Sequence, residues 1–223
     1  MYDMKLDKAG AITIFGIIKT ISELQLPVEI HAILGFSENM ISNNAYKPGD
    51  VIKTRNSKTI EIMNTDAEGR ILLADLFEYA QDKIKDIDYI FDYATLTGSV
   101  ISAIGQYSAG IIGHNSKLKN KMIKISRQVD EWYVDLPFNR YFFEDCYKSN
   151  IADYVNIPTS SIGGGTILGG VFIDNFLDKK YKNKWLHIDM TGVAFIKNRW
   201  KYHEYGATGF GIKSGIKFIK FLI

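Results

Sequence analysis

The chain alternates between segments with the hydrophobic period of a helix and short, continuous apolar runs. Between Lys8 and Gln25, apolar residues recur every three to four positions and Pro27 lies just beyond, which predicts a helix with one buried face. The run VEIHAILGF at 28–36 is rich in β-branched and aliphatic residues, which predicts a strand covered on both faces. A helix that leads into such a strand is typical of an α/β fold.

The same alternation continues to the carboxyl end. The pattern predicts strands at 58–63, 89–94, 109–113 and 185–190, and helices at 72–80, 118–129, 167–177 and 212–222. The glycine-rich segment 159–170 predicts a flexible active-site loop. No internal repeat or linker interrupts the alternation. We therefore predict an α/β fold with a mixed, mostly parallel sheet flanked by helices on both faces, in a single domain over 1–223.

The charge balance and the single cysteine exclude several classes of protein. Lys and Arg number 27 against 25 Asp and Glu, and a formal net charge of +2 gives no global field that would hold nucleic acid or a membrane surface. No apolar run approaches the roughly 18 residues of a membrane-spanning helix. Cys146 cannot form an internal disulfide, which favours a reducing compartment. We expect a cytoplasmic protein with no nucleic-acid partner and no membrane partner.

A polar insert, NTDAEGR, separates a predicted strand from a predicted helix. Asp66 and Glu68 are one residue apart, so on an extended backbone their carboxylates point the same way and can share a cation. Gly69 permits a tight turn, and Arg70 places a permanent positive charge beside the pair. Strings of this kind also occur in solvated surface turns, so spacing alone leaves both a metal site and an ordinary turn open.

Other residues with catalytic potential give weaker signals. Asp7 stands just ahead of the first helix, where an isolated aspartate is most often an N-cap. The histidines show no HExxH pairing, and His31 and His187 lie in apolar strands, which predicts core histidines. No P-loop, GxGxxG or GxSxG motif occurs, and Cys146 has no histidine nearby in sequence, so nucleotide binding and covalent catalysis have little support.

Larger motifs carry a family resemblance. The string NTDAEGRILLADLFEYA, the preceding ENMISNNAYKPGDVIKT and the following DYATLTGS resemble the C-terminal catalytic domain of the leucyl aminopeptidase family, also called the cytosol aminopeptidases. The resemblance continues through IADYVNIPTSSIGGGTILGGVF, WLHIDMTGVAF and GATGFGIKSGIKFI, and so covers essentially the whole chain in order. It implies a cytoplasmic, usually hexameric exopeptidase that acts on the amino end of peptides with two divalent cations, manganese or zinc.

The resemblance also implies roles for individual residues. It makes Asp7, Asp66 and Glu68 metal ligands, and it makes Arg70 the catalytic residue that holds a bicarbonate acting as base. The residues that it implies line the side-chain pocket or hold the substrate backbone are Met4, Thr95, Leu96, Gly98, Thr191 and Ala194. Two neighbouring cations lower the pKa of a bridging water and polarise the scissile carbonyl, and carboxylates are suitable ligands for them.

The chain departs from the family at its beginning. The family carries, a short way upstream of the position of Asp7, a lysine ligand followed by FDSGG, whose aspartate bridges both metals, and then a second lysine; this chain has none of them. We therefore expect an N-terminally truncated catalytic domain in which one cation keeps only Asp7 and a share of Glu68. The missing upstream strand is expected to leave a sheet neighbour unpaired.

Three functional hypotheses follow. The first is a metal-dependent aminopeptidase with a preference for leucine-like amino-terminal residues. The second is an inactive remnant or interaction subunit that keeps the fold and the oligomer surfaces. The third is a phosphoester hydrolase that uses the same acidic pair. It is weaker, because Arg70 would be the only residue to bind the phosphate.

Overall fold

A mixed four-stranded sheet lies between two layers of helices. The computed structural model describes residues 2–38, 40–160 and 162–223. Within these residues the helices are α1 (Ala9–Glu23), α2 (Glu68–Lys83), α3 (Ser99–Ile104), α4 (Ser116–Arg127), α5 (Gly165–Asp174) and α6 (Ile212–Leu222). The strands are β1 (Val51–Lys53), β2 (Thr59–Glu61), β3 (Ile90–Ala94), β4 (Ala109–Ile112), β5 (Tyr133–Asp135), β6 (Tyr154–Val155), β7 (Trp185–Asp189), β8 (Phe195–Ile196) and β9 (Gly206–Ala207).

The central sheet has the order β3-β7-β4-β5. β3 runs parallel to β7, β4 runs antiparallel to β7, and β4 runs parallel to β5. Helices α1, α4 and α6 cover one face, where Ile17, Met122 and Phe218 belong to one buried cluster. On the other face, Phe77 of α2 and Ile173 of α5 pack around Trp185. The predicted α/β class, with a mixed, mostly parallel sheet and helices on both faces, is confirmed.

Close backbone contact fixes α1 against the sheet. A Cβ atom at Gly10 would lie 2.0 Å from the carbonyl oxygen of Tyr93, so only glycine lets the first turn of the helix approach β3 so closely. Thr13, one turn further, is buried and donates its hydroxyl hydrogen to the carbonyl oxygen of Phe210 at 2.9 Å. These contacts hold the start of α1 beside the carboxyl end of β3.

Two smaller sheets lie outside the central one. β1, β2 and β6 form a three-stranded sheet in the order β1-β2-β6, and β8 pairs with β9. The first of these sheets packs against α5, where Ile60, Val155 and Phe172 belong to one buried cluster. Of the strands in it, the sequence predicted only the one at 58–63. No helix within the described residues is long and apolar enough to cross a membrane.

The strand predicted at 28–36 is wrong. The segment has no regular secondary structure and lines a cavity beside β3. The backbone of residues 29–36 makes no hydrogen bond to another backbone group of the described chain. An apolar, β-branched composition favours a strand only where a neighbouring strand supplies hydrogen-bond partners, and this segment lacks that neighbour.

Two local predictions are also corrected. The glycine-rich segment 159–170 is a loop only in its first part, because α5 begins at Gly165 and Gly169 and Gly170 are buried within it. His31 is exposed and lies 2.9 Å from the carboxylate of Glu29, whereas a core position was predicted. His187, by contrast, is fully buried in β7, as predicted.

Candidate active site at the carboxyl end of the sheet

The carboxyl ends of β3 and β7 meet at one edge of the central sheet. The two strands are parallel and in register, with Ala94 opposite Asp189, so the segments that carry Thr95 and Thr191 leave neighbouring strands side by side. Asp189 is fully buried and its carboxylate accepts hydrogen bonds from the hydroxyl groups of Thr97 at 2.6 Å and Thr191 at 2.8 Å. Clefts at the carboxyl ends of such strands are the usual location of binding sites in α/β proteins.

Asp7 is anchored at this edge. It lies in a 3₁₀ helix, Tyr2–Lys8, and its carboxylate accepts a hydrogen bond of 2.6 Å from the hydroxyl of Thr95. The alternative interpretation of Asp7 as an N-cap is wrong, because Lys8 occupies the cap position of α1 without a capping side chain. A residue far away in sequence is thus brought to the end of β3, as the metal-ligand prediction requires.

Asp66 and Glu68 approach the same edge from the start of α2. Asp66 lies in a turn and Glu68 is the first residue of the helix, so the predicted extended backbone with alternating side chains is wrong. A Cβ atom at Gly69 would lie 3.6 Å from the side chain of Leu96, which places the first turn of α2 directly against the segment that follows β3. Turn and helix start, rather than strand alternation, bring the two carboxylates to the site.

The three carboxylates act on one another electrostatically. Desolvation raises the pKa of Asp7, and the charge of Asp66 raises it further, although the hydrogen bond from Thr95 opposes the change. Desolvation also raises the pKa of Glu68; the backbone N–H groups at the helix start oppose this, while the charges of Asp7 and Asp66 add to it. These effects require the three groups to lie within electrostatic range of one another. We call Asp7, Asp66 and Glu68 the acidic cluster.

The acidic cluster has a free ligand atom. One carboxylate oxygen of Glu68, Oε2, is buried and has no hydrogen-bond partner among the described residues. A buried carboxylate without a partner is costly, and a hard divalent cation would satisfy it. In the described part of the chain, no three His, Cys, Asp or Glu side chains stand in an arrangement that could hold a metal ion as placed. The donor chemistry fits a cation, whereas a complete ligand set requires further groups or closer approach of these three.

Asn156 holds in place the loop of residues 63–67 that carries Asp66, called here the acidic loop. The sequence did not reveal this role. Its side chain is fully buried; Oδ1 accepts hydrogen bonds from the backbone N–H groups of Met63 at 2.8 Å and Asn64 at 3.2 Å. Nδ2 donates to the carbonyl oxygen of Asn64 at 2.6 Å. Asn64 in turn accepts a hydrogen bond of 2.9 Å from the N–H of Asp66 through its side chain. Asn156 thus fixes the loop that carries Asp66.

Arg70 is held two residues after Glu68 by contacts to other elements. Its Nη1 donates to the carbonyl oxygen of Asn156 at 3.0 Å and to the hydroxyl of Tyr147 at 3.3 Å, and its guanidinium lies 5.8 Å from the ring centre of Phe172. Burial raises the pKa of Tyr147 to about 12, with the charge of Arg70 opposing the change. The other nitrogens of the guanidinium have no partner in the described residues, so they are available to an anion.

The predicted substrate-binding residues surround this edge in different ways. Met4, in the same 3₁₀ helix as Asp7, is 49% exposed and lines the cavity beside β3 together with Thr95 and Leu96. Gly98 is exposed at the start of α3, with open space around it. Ala194 is buried within a hydrophobic cluster, so its side chain packs against the core. No ligand contact tests these assignments, and they stay predictions.

Asp189 is a second residue that the sequence analysis missed. Burial raises the pKa of its carboxyl group, and His187 and the hydroxyls of Thr97 and Thr191 act in the opposite direction. Thr97 also shares a hydrogen bond of 2.9 Å with Thr166 of α5. Asp189 therefore ties together the chain after β3, the chain after β7 and helix α5. Its position at the end of an apolar run, within WLHIDM, was the only signal in the sequence.

Comparisons with known proteins identify one family for the chain. The model of the cytosol aminopeptidase family, catalytic domain, matches residues 1–215. The chain is 44% identical over 220 residues to a probable cytosol aminopeptidase of Wolinella succinogenes, covering 99% of this chain and 45% of the relative. It is 45% identical over 219 residues to a probable cytosol aminopeptidase of Helicobacter hepaticus, covering 98% of this chain and 45% of the relative.

Solved structures show the same similarity. The apo structure of leucyl aminopeptidase from Trypanosoma brucei superposes with a TM-score of 0.89 at 32% identity, covering 97% of this chain and 42% of that chain. A mutant of tomato leucine aminopeptidase superposes with a TM-score of 0.85 at 34% identity, covering 94% and 39%. The chain spans less than half the length of these relatives. By the family model and by these relatives, the chain belongs to the cytosol aminopeptidase family.

Proposed function

We propose that this chain forms the catalytic part of a metal-dependent aminopeptidase that releases amino-terminal, leucine-like residues from peptides. The observation that carries the proposal is the acidic cluster: Asp7, which is bound to Thr95 after β3, lies within electrostatic range of Asp66 and Glu68, which are about sixty residues away in sequence. The names of the relatives, cytosol and leucyl aminopeptidases, support the same activity.

Asp7, Asp66 and Glu68 would hold the divalent cations, manganese or zinc. The buried Oε2 of Glu68 supports this assignment, because it has no hydrogen-bond partner among the described residues and a cation would stabilise it. When bound, divalent cations supply Lewis-acid activation of a water molecule and of the scissile carbonyl. Within the chain, Asn156 positions the loop of Asp66, and Thr95 orients the carboxylate of Asp7.

Arg70 would hold a bicarbonate that accepts a proton during hydrolysis. Two contacts of Nη1, to Asn156 and Tyr147, fix the guanidinium, and its remaining N–H groups are without partners in the described residues. A planar guanidinium with free N–H groups binds a planar oxyanion through paired hydrogen bonds. Met4, Thr95, Leu96, Gly98, Thr191 and Ala194 are proposed to contact the substrate.

The setting of this activity is proposed from the relatives and from the surface. A cytoplasmic location agrees with the name of the family. A homo-oligomer, a hexamer as the family resemblance implies, would cover exposed aromatic side chains such as Tyr141, which is 77% exposed, and Phe142, which is 70% exposed. The alternative of an inactive subunit gains no support from relatives that are named as peptidases. Phosphoester hydrolysis gains no support from these relatives either.

Hydrolysis of leucine p-nitroanilide by the full chain with excess Mn²⁺ or Zn²⁺ tests the proposal. We expect p-nitroaniline release that requires the metal and that Asp66→Ala abolishes. The matched control is Asp178→Ala, since Asp178 is exposed and its carboxylate makes no hydrogen bond or ion pair within the described residues. Absence of metal-dependent release, or equal release by Asp66→Ala and the wild type, would contradict the proposed activity.

A further inference from the structure

Buried polar side chains of β3 and β7 lead to the edge of the sheet that carries the candidate site. Asp92 and His187 are opposite each other in the register of the two strands, and Nδ1 of His187 lies 2.6 Å from Oδ1 of Asp92. The other oxygen of Asp92 accepts a hydrogen bond of 2.7 Å from Nε1 of Trp185. Asp189 follows two residues after His187, so both side chains point to the same face of the sheet. Asp92, His187 and Asp189, called here the buried row, therefore place one imidazole beside two carboxylates.

The geometry of the buried row favours a charged imidazole. His187 and Asp189 are fully buried, and Nε2 of His187 has no hydrogen-bond partner among the described residues. In a neutral ring with its hydrogen on Nδ1, Nε2 would be a buried lone pair without a donor, which is costly. In a charged ring, Nε2 carries a hydrogen, and the carboxylate of Asp189 lies within electrostatic range to stabilise the charge.

The charges of the row act on one another. Desolvation lowers the pKa of His187, but the charge of Asp92, the hydrogen bond to it and the charge of Asp189 together raise it. On the neighbouring strand β4, the residue opposite His187 is the apolar Ile112. Burial raises the pKa of Asp189, and the charge of His187 is the largest influence in the opposite direction. A charged imidazole therefore offsets part of the cost of an ionised, buried Asp189.

The ionised carboxylate of Asp189 holds two threonines of the candidate site. Its Oδ2 accepts a hydrogen bond of 2.6 Å from the hydroxyl of Thr97. Its Oδ1 accepts hydrogen bonds from the hydroxyl of Thr191 at 2.8 Å and from the backbone N–H of Thr191 at 3.3 Å. Protonation would convert one of these oxygens into a donor and weaken at least one of the three hydrogen bonds. The charge of Asp189 therefore sets how firmly the two threonines are held.

We infer that His187 is a positioning residue for the proposed aminopeptidase, because its charged imidazole keeps Asp189 ionised. Asp189 in turn holds Thr97 and Thr191 where the segments after β3 and β7 leave the sheet. The inference rests on the proposed function for the role of Thr191 in binding the peptide, whereas the coupling within the row is a property of the fold. Loss of the charge on the ring loosens the threonines without removing a group that touches the reacting atoms. KM, rather than kcat, is then expected to change.

Nuclear magnetic resonance of the full chain with ¹⁵N-labelled histidine tests the charge of the ring independently of peptidase activity. The signals of His187 are those lost in His187→Gln, which keeps a donor for Asp92 but carries no charge. We expect both ring nitrogens to carry hydrogen at pH 6.5 in the wild type and the titration midpoint to fall by at least about 1 pH unit in Asp189→Asn. His203→Gln, at a half-buried histidine outside the row, is the matched control and should leave the midpoint unchanged. A wild-type ring that is already neutral at pH 6.5 would overturn the inference, whether or not Asp189→Asn folds.

Two further measurements test the effect on the site. The backbone N–H of Thr191 donates to Asp189, so its chemical shift should follow the titration of His187 in the wild type and stay constant over that range in His187→Gln. With leucine p-nitroanilide, His187→Gln should raise KM at least about fivefold at pH 6.5 and change kcat by less than about twofold. A Thr191 signal that does not follow the titration, or a loss in kcat alone, would overturn the positioning role. If the wild type hydrolyses no substrate, the two resonance measurements still decide the coupling within the row, so failure of the proposed function is distinguishable from failure of this inference.

Discussion

Removal of the Asn156 side chain is expected to loosen the acidic loop. Asn156→Ala deletes three hydrogen bonds, two from the backbone N–H groups of Met63 and Asn64 and one to the carbonyl oxygen of Asn64. The alanine leaves a small void in a fully buried position and no replacement for these contacts. The loop that carries Asp66 would then be held by its own turn alone.

The magnitude follows from these contacts. A hydrogen bond contributes about 0.5–1.5 kcal/mol net, so three sum to about 1.5–4.5 kcal/mol. Met63 and Asn64 are exposed, and water can therefore replace part of the lost bonding, which places the expected loss in the free energy of unfolding near 2 kcal/mol. For a chain of 223 residues, about 2–4 °C per kcal/mol gives a decrease in Tm of about 4–8 °C.

Urea unfolding followed by circular dichroism, with thermal unfolding beside it, measures this loss. The control is Asn43→Ala, because Asn43 is exposed and its side chain makes no hydrogen bond within the described residues; its change is expected to stay within about 0.5 kcal/mol. A loss below about 0.5 kcal/mol for Asn156→Ala would refute the role of this residue in fixing the loop.

Three further predictions concern residues in and around the site. Burial alone would lower the pKa of His187, but the Asp92 carboxylate at 2.6 Å raises it, so the pair contributes stability below pH 6.5 that is lost as the pH rises through the raised pKa. Between pH 5.5 and 8.5, the urea midpoint of the wild type should therefore fall relative to that of His187→Gln. Parallel curves for the two proteins would contradict this. Gly10→Ala should lower the free energy of unfolding, measured by thermal unfolding, by about 1–3 kcal/mol, because its Cβ meets the backbone of β3. Gly16→Ala meets only side-chain atoms of Ile212, which can move, so it should cost less; equal effects would show that the close approach is not required. Bicarbonate should stimulate leucine p-nitroanilide hydrolysis by the wild type and not by Arg70→Ala. Equal stimulation of the two proteins would show that Arg70 does not bind the bicarbonate.

Most of the central architecture could be predicted from the periodicity of apolar residues. The helix from Lys8 to Gln25 is found as Ala9–Glu23, and the strand predicted at 185–190 is found as Trp185–Asp189. Both have strong local patterns and neighbours to pack against. The segment 28–36 has an equally strong pattern but no strand beside it, and its state depends on partners that a local pattern cannot reveal.

The sequence predicted which residues lie in the site better than it predicted the backbone structure that brings them together. Asp66 and Glu68 stood out by spacing, but a turn followed by a helix start brings them to the site, because Glu68 opens α2. The position of Asp7 in the sequence did not by itself indicate a site. Its location at the end of β3 is shown by the hydrogen bond that it accepts from Thr95. Asn156 was missed because a single buried amide has no sequence signal; its function lies in backbone groups more than ninety residues away.

Titration with Mn²⁺, followed by the electron paramagnetic resonance signal of the free ion, tests most directly whether the three carboxylates bind a cation together. Binding by the wild type is expected to weaken at least about tenfold in each of Asp7→Asn, Asp66→Asn and Glu68→Gln, and to stay unchanged in Asp178→Asn. No binding by the wild type, or equal affinity in all four variants, would contradict the account.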